Sequence, residues 1–476
     1  MLKIDRRSLL QGSAAVALAT AAPLSPAQAA TVNRRSIGAM PLNDPVLDSY
    51  RKAVDAMKRL PASDPRNWTK QAQIHLNFCP HGNWYFLPWH RAYLVAFERL
   101  CQQLSGNPNF ALPYWDWTAN PQLPAAFAMP TYNGQPNPLF NASRNSQTAT
   151  IPASVAGPQV MADILAETNF EVFGSSMPDG QNSTAPSWQR VNGFQGPLES
   201  GPHNTVHGII GGDMGTYMSP LDPIFWLHHC NVDRVWNRWN NLGRANSSNN
   251  LWRTFAFNGQ FVNPSGASGT TPYNTTVAGV VNILDLGYRY DAPPVGAVAL
   301  SQVVGKSINL AKPLHLIQSA VTGPAMLNTP LSTRLALPAP QAQALNTSML
   351  ALNRMIASPA AIRAPSPSKV IAIIRNVEPP ASGNVNVRVF VNCPYLSAET
   401  STQDRHYAGA FTFFGSGDNH HSAKHSYLID LTKTVAKLQI AGEMSSQIDV
   451  QLMPVPLPGV PAATDFKPGS IEVAIF

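Results

Sequence analysis

Four cysteines in 476 residues are too few to build a disulfide framework. The 33 lysines and arginines exceed the 26 acidic residues only modestly and form no long basic tract, which argues against nucleic acid as a partner. The Ala-rich run after Leu10 is too short and too weakly apolar to span a bilayer, so the sequence offers no stable membrane anchor. No carboxylate cluster accompanies the histidines, and this last lack decides most. What is present, 44% hydrophobic residues over this length, can bury a large core and more than one domain.

Six of the 12 histidines fall at short spacings. His75, His81 and His90 form one cluster, His203 and His207 a second, and His229 follows on an apolar helical stretch. Pro88 suits a first helical position. From there His90, Tyr93, Phe97, Leu100 and Leu104 recur at three- and four-residue steps, a helix with one buried face. His90 therefore points inward. Trp68, Ala72 and His75, after Asp64-Pro65, put His75 near the inner face at the end of another helix. His81 lies between them on a loop. Holding a loop residue still costs about 1–2 kcal/mol of backbone entropy, so something should pin it.

His203 and His207 are four apart, where helical side chains lie one above the other. Pro202 opens that short helix and Gly211-Gly212 ends it. Asp222 and Pro223 cap and open the next, with Phe225, His229, Val232, Trp236 and Trp239 as its inward stripe. His228 is one step round, and periodicity does not choose between the two histidines.

Imidazole suits zinc and copper alike, and the Irving–Williams order favours Cu(II) without deciding selectivity. Hydrolytic dizinc sites usually bring a carboxylate and an activated water. Two Cu(I) ions can instead give dioxygen two electrons, with three imidazoles per metal leaving positions open for it. The pattern is that of a site for two copper ions with dioxygen as co-substrate.

Phe-Leu-Pro-Trp-His-Arg at 86–91, Pro-Tyr-Trp-Asp-Trp at 113–117, His-Asn-Thr-Val-His at 203–207 and Asp-Pro-Ile-Phe-Trp-Leu-His-His at 222–229 resemble the tyrosinase and polyphenol oxidase family. The resemblance covers residues from about 45 to 290, and Tyr288-Arg-Tyr290 looks like the Tyr-X-Tyr that closes the family's catalytic domain. It implies type 3 copper in a four-helix bundle, o-hydroxylation of monophenols, and oxidation of o-diphenols to o-quinones. It assigns His229 as the third ligand of the second copper. It also implies a thioether between Cys79 and His81, which would pin the loop ligand. A phenol has a solution pKa near 10, and the family's answer is a water held by a glutamate and an asparagine. Glu199 and Asn204 match those positions, and such general-base help is worth about 10²–10⁴-fold. A catechol oxidase without monophenolase activity is the alternative within the family. A haemocyanin-like oxygen binder and a zinc hydrolase are the alternatives outside it.

A metal-bound imidazole usually donates its other N–H. Asp233, one turn after His229, is a candidate acceptor, or else an ordinary charge paired with Arg234 or Arg238. Phe86 and Phe225 either stack on ligand rings, as in the family, or are simply core. The family's gate position falls on Thr216 when counted back from His229 and on Tyr217 when matched forward from the glycines.

Residues 1–29, with Asp5-Arg6-Arg7-Ser8-Leu9-Leu10 and Ala27-Gln28-Ala29, look like a twin-arginine signal peptide, which places the protein in the periplasm or outside the cell. A copper domain over 30–290 is followed by an Ala/Pro-rich connection, 291–369, carrying a short helix near Gln341–Ile356. From Val370 to Phe476 alternating residues and turns predict an antiparallel sandwich or barrel of about six to eight strands. The fold class is therefore α+β. Val-Arg-Val-Phe-Val-Asn at 387–392 and Tyr-Ala-Gly-Ala-Phe at 407–411 resemble the C-terminal domain of plant polyphenol oxidases, which implies a lid over the copper pocket. His420, His421 and His425 form a polar loop by sequence.

Overall fold

The computed structural model describes residues 31–178, 185–291, 310, 313–321, 323–340, 342–343, 345–347, 369–380, 384–415, 424–459 and 465–476. The signal segment 1–29, His420 and His421, and most of the helix expected near 341–356 lie outside them.

The N-terminal unit is helical. Helix α1, Pro45–Arg59, is opened by Asp44, whose side chain accepts from the Val46 N–H. Helix α2, Trp68–Phe78, is capped by Asn67, and His75 sits buried in its last turn. Helix α3, Phe86–Ser105, begins two residues before Pro88 and is buried along most of its length. Its register is unchanged, because the first three N–H groups of a helix have no internal acceptor and proline is tolerated there. Helix α4, Asn204–Ile210, is preceded by a wide turn, Glu199–His203, that contains Pro202. Gly211 ends it at φ +64, beside the Asn145 side chain, where a Cβ would clash. Helix α5, Ile224–Asn241, carries His228 and His229. Asp222 accepts from the Ile224 N–H, as expected of the cap, and is also clamped by Arg144 at 2.6 Å.

The C-terminal unit is two packed sheets and not a closed barrel. Strands β1, Val32–Arg34, β2, Phe194–Gln195, and β3, Tyr288–Tyr290, belong to the helical unit. The sandwich follows with β4, His315–Ala320, β5, Leu331–Ala336, β6, Val370–Val377, β7, Val385–Val391, β8, Tyr407–Thr412, β9, His425–Asp430, β10, Gln447–Pro456, and β11, Ser470–Ile475. One sheet runs β2-β9-β6-β11-β4 and the other β8-β7-β10-β5. The segment 291–369, expected as a connection, thus supplies an edge strand to each sheet. Both edges are short and half exposed, the usual way of blunting an edge, so they lack the long apolar signature that marks β6.

The two units share a sheet. Strand β2 of the helical unit pairs in parallel with β9, Phe194 opposite Ser426 and Gln195 opposite Tyr427. Val172 and Phe194 pack with Ile371, Ile373, Leu428, Ala474 and Phe476. Lys369 bridges Glu167 at 2.5 Å and Asp430 at 3.4 Å, and Lys433 reaches Asp163 at 2.6 Å.

Asp233 neither orients His229 nor pairs with Arg234 or Arg238. It faces Arg91 at 2.5 Å, Arg34 at 3.5 Å, and the hydroxyls of Tyr288 and Tyr290 at 2.7 and 2.5 Å. Burial opposes its ionisation, but the two guanidiniums win and hold its carboxyl below the ordinary value. Arg234 goes instead to Asp116 at 2.9 Å. Since β1 and β3 pair side by side, this buried knot ties both ends of the helical unit to α3 and α5. Asp233→Ala would leave two buried arginines without that carboxylate, a class of change that costs about 3–5 kcal/mol. Denaturant unfolding should show the loss, and a change below about 1 kcal/mol would contradict the assignment.

Candidate metal centre

The two histidine clusters converge. His75, His81 and His90 have ring nitrogens within 4.8 Å of one another, and so do His203, His207, His228 and His229. All seven rings are buried. The clusters face each other: His90 and His229 stack with centroids 4.3 Å apart, and His81 and His203 are 5.4 Å apart. Helices α2, α3, α4 and α5 each contribute, with His81 on a loop and His203 in the wide turn before α4.

One nitrogen of each of five rings is tied to an oxygen. Nδ1 of His75 meets the Tyr217 carbonyl at 2.7 Å, that of His90 the Phe86 carbonyl at 2.8 Å, and that of His207 the Met214 carbonyl at 2.6 Å. His203 Nδ1 donates to Asn204 Oδ1 at 2.8 Å, and His81 Nδ1 meets Glu199 Oε1 at 3.1 Å. A carbonyl can only accept, so these rings carry their proton on Nδ1 and a lone pair on Nε2. Nε2 of His81, His90 and His203 is buried with no hydrogen-bond partner among the described residues, an arrangement that calls for an explanation in a native fold. Burial pushes His81, His90, His207 and His229 well below the ordinary imidazole range, with neighbouring imidazoles adding to it, and takes His203 to about 3. The rings are neutral, so the His81–Glu199 contact is a hydrogen bond and not an ion pair. Neutral imidazoles with inward lone pairs are the donor set of a soft-nitrogen metal site.

His229 is placed differently. Its Nδ1 has no hydrogen-bond partner among the described residues, and its Nε2 lies 3.3 Å from Nε2 of His207. Ring packing orients it, with His90 stacked on it at 4.3 Å and Phe225 tilted against it at 4.2 Å. Phe225 also meets His75 at 5.1 Å, while Phe86 meets His90 at 4.9 Å and His203 at 4.8 Å. Both phenylalanines therefore pack on the imidazoles as well as filling the core.

Glu199 is fully buried. Oε1 accepts from the Gly82 N–H at 2.8 Å as well as from His81, and Ser175 Oγ donates to Oε2. Burial pushes its carboxyl up to about 8, against the pull of those hydrogen bonds. Asn204 Nδ2 donates to Gln195 Oε1 at 2.9 Å and to the Thr412 carbonyl at 2.7 Å. The structure thus gives each of the expected water-holding pair an imidazole to orient, Glu199 for His81 and Asn204 for His203. Cys79 is buried at the end of α2, its N–H donating to the His75 carbonyl, and burial pushes its thiol well up. Of the two gate candidates, Tyr217 is buried with its ring 5.6 Å from His81, whereas Thr216 caps a surface turn through Asp213.

Sequence reasoning missed Phe414. It leaves the end of β8 and its ring enters between the clusters, 4.7 Å from His81, 4.5 Å from His207 and 5.2 Å from Tyr217. Gly415 follows at φ +68, and a Cβ there would lie 2.3 Å from the Tyr217 ring, so only glycine lets this strand end come so close. Thr412, two residues back, also joins its hydroxyl to that of Thr205 at 2.8 Å. Nothing local in Ala410-Phe-Thr-Phe-Phe-Gly marks one phenylalanine as different from its neighbours. His425 is buried in β9 and faces Gln195 and so is not part of a solvated loop.

Residues 62–242 match the common central domain of tyrosinase, and residues 351–463 match the C-terminal domain of chloroplastic polyphenol oxidase. A chloroplastic polyphenol oxidase of Vitis vinifera is 34% identical over 42% of this chain and 38% of its own length. A tyrosinase of Hahella sp. (strain CCB-MM4) is 31% identical over 52% of this chain and 61% of its own. The chain thus spans less than two thirds of the length of these relatives. The fold matches a latent apple tyrosinase with a TM-score of 0.68 at 23% identity, covering 94% of this chain and 98% of that one. Tyrosinase domains are type 3 binuclear copper domains, and the imidazoles here fit that pair. Copper analysis should find two ions per chain, and one after His90→Gln. Retention of both ions by that variant would contradict the grouping.

Proposed function

The chain joins a tyrosinase central domain to a polyphenol oxidase C-terminal domain, and on that premise we propose that it is an exported, latent phenol oxidase. Its reactions are o-hydroxylation of monophenols and oxidation of o-diphenols to o-quinones with dioxygen. The observation that carries the reading is the convergence of two imidazole clusters whose lone pairs point at a shared interior. His75, His81 and His90 hold one copper, and His203, His207 and His229 hold the other. Bound copper supplies the two-electron chemistry with dioxygen.

The chain's own residues admit the phenol, take its proton and keep it out until needed. Glu199, whose carboxyl burial pushes up to about 8, takes the phenolic proton in its ionised form through a water shared with Asn204. A carboxylate has more acceptor sites than Gly82, His81 and Ser175 fill. The Asn204 amide becomes available when the Thr412 carbonyl leaves. Tyr217, whose ring packs on His81 and Phe414, is the gate. The lid reading is supported by Phe414, which lies where a phenol ring would have to lie to meet both clusters. A thioether between Cys79 and His81 would form one S–C bond as S–H and C–H are lost to dioxygen, and would fix the loop ligand.

Two experiments test this. Copper-loaded protein is assayed on a monophenol and its matching catechol, with and without proteolysis within 291–369. Burying a phenylalanine is worth about 1.5–3 kcal/mol, so Phe414→Ala should raise both activities by about 10- to 150-fold without cleavage. In that background Glu199→Gln should cut hydroxylation by about 10²-fold or more while catechol turnover changes little. Equal activity of the intact chain and of the cleaved helical unit separated from the sandwich would sink latency, and oxygen binding without any catechol turnover would favour a carrier. Second, the intact mass of exported protein should equal residues 30–476 less two hydrogen atoms. A retained N-terminus would refute the signal, and a full complement of hydrogens the thioether.

A further inference from the structure

Seven buried imidazoles line the centre, and two copper ions with three ligands each account for six. The seventh, His228, is fully buried, and neither of its ring nitrogens has a hydrogen-bond partner among the described residues. Its ring lies 4.7 Å from that of His207 and 5.3 Å from that of His203, with Trp117 4.9 Å away on another side. We propose that His228 is a fourth nitrogen donor of the second cluster, which holds a copper ion that is present singly.

Packing alone does not explain the residue. Against Trp117 an apolar side chain of similar size would fill the same space, whereas leaving a buried polar group unsatisfied costs about 1–3 kcal/mol. Every other ring of this cluster has a nitrogen accounted for, His203 by Asn204, His207 by Met214 and His229 by His207. The donor atoms of His203, His207, His228 and His229 all lie within 4.8 Å of one another. Imidazole nitrogens about 2.0–2.1 Å from a metal stand up to about 4 Å apart across it, so small ring rotations bring all four to one ion. Tetragonal nitrogen coordination suits Cu(II). A four-imidazole shell would therefore hold a lone ion closed, and withdrawing His228 would open the position that dioxygen needs once the first cluster is filled.

The inference rests on the copper reading above, and the test separates the two. Copper-free full-length chain carrying His90→Gln, which confines Cu(II) to the second cluster, is titrated with Cu(II) against a chelator and read by electron paramagnetic resonance. The parent should show hyperfine structure from four nitrogens. Adding His228→Gln should reduce this to three and weaken binding by at least about tenfold. Adding His229→Gln instead should leave one ion bound through His228, and the double replacement of His228 and His229 should lose it. Unchanged affinity and unchanged hyperfine structure in the His228→Gln chain would overturn the proposal, as would a His229→Gln chain no better than the double. If the unaltered protein binds no copper pair at all, it is the functional reading that fails.

Discussion

The structure depends on keeping a dense group of imidazoles neutral and aimed inward in a volume with no compensating charge. Desolvation removes their protons, and an oxygen on one nitrogen fixes where the remaining proton sits. The acceptors are mostly backbone carbonyls, of Phe86, Met214 and Tyr217, so the tautomers are set by the fold itself. The other two, Glu199 and Asn204, are side chains beside the pocket. That difference makes them suited to a second task, because a side chain can exchange a partner while a helix carbonyl cannot.

The C-terminal unit is built into the site by the same elements. Strand β2 leads directly to Glu199 and then to His203, and it is β2 that pairs with β9 of the sandwich. Phe414 and the Thr412 carbonyl reach the pocket from the end of β8, in the other sheet. Cutting the connection alone leaves the paired strand, the apolar patch around Phe194 and the Lys369 bridges in place. Separating the two units therefore requires breaking a continuous sheet, across which the half-buried Lys369 bridges Glu167 and Asp430.

Much of this was legible in the sequence because it repeats with the helical period. His90 and His229 sit on stripes of apolar residues, and the loop position of His81 followed from lying between two helices. Asp233 was misjudged for a physical reason: its partners, Arg34, Arg91, Tyr288 and Tyr290, are up to about two hundred residues away, and local spacing offers only Arg234 and Arg238. Phe414 was invisible because its place beside the imidazoles is set by where a strand ends in space. The edge strands β4 and β5 were hidden by alternation too short and too polar to stand out from their Ala/Pro-rich surroundings. His228 and His229 were inseparable by periodicity, and the structure keeps both in the cluster.

The account stands on two copper ions lying close enough to act on one oxygen molecule. X-ray absorption on the copper-loaded chain measures that distance directly. The imidazole arrangement predicts a copper–copper separation in the range of paired catalytic metals, about 3.5–4 Å. Two fully bound ions with no copper neighbour inside about 6 Å would contradict it, since that lies well beyond such pairs.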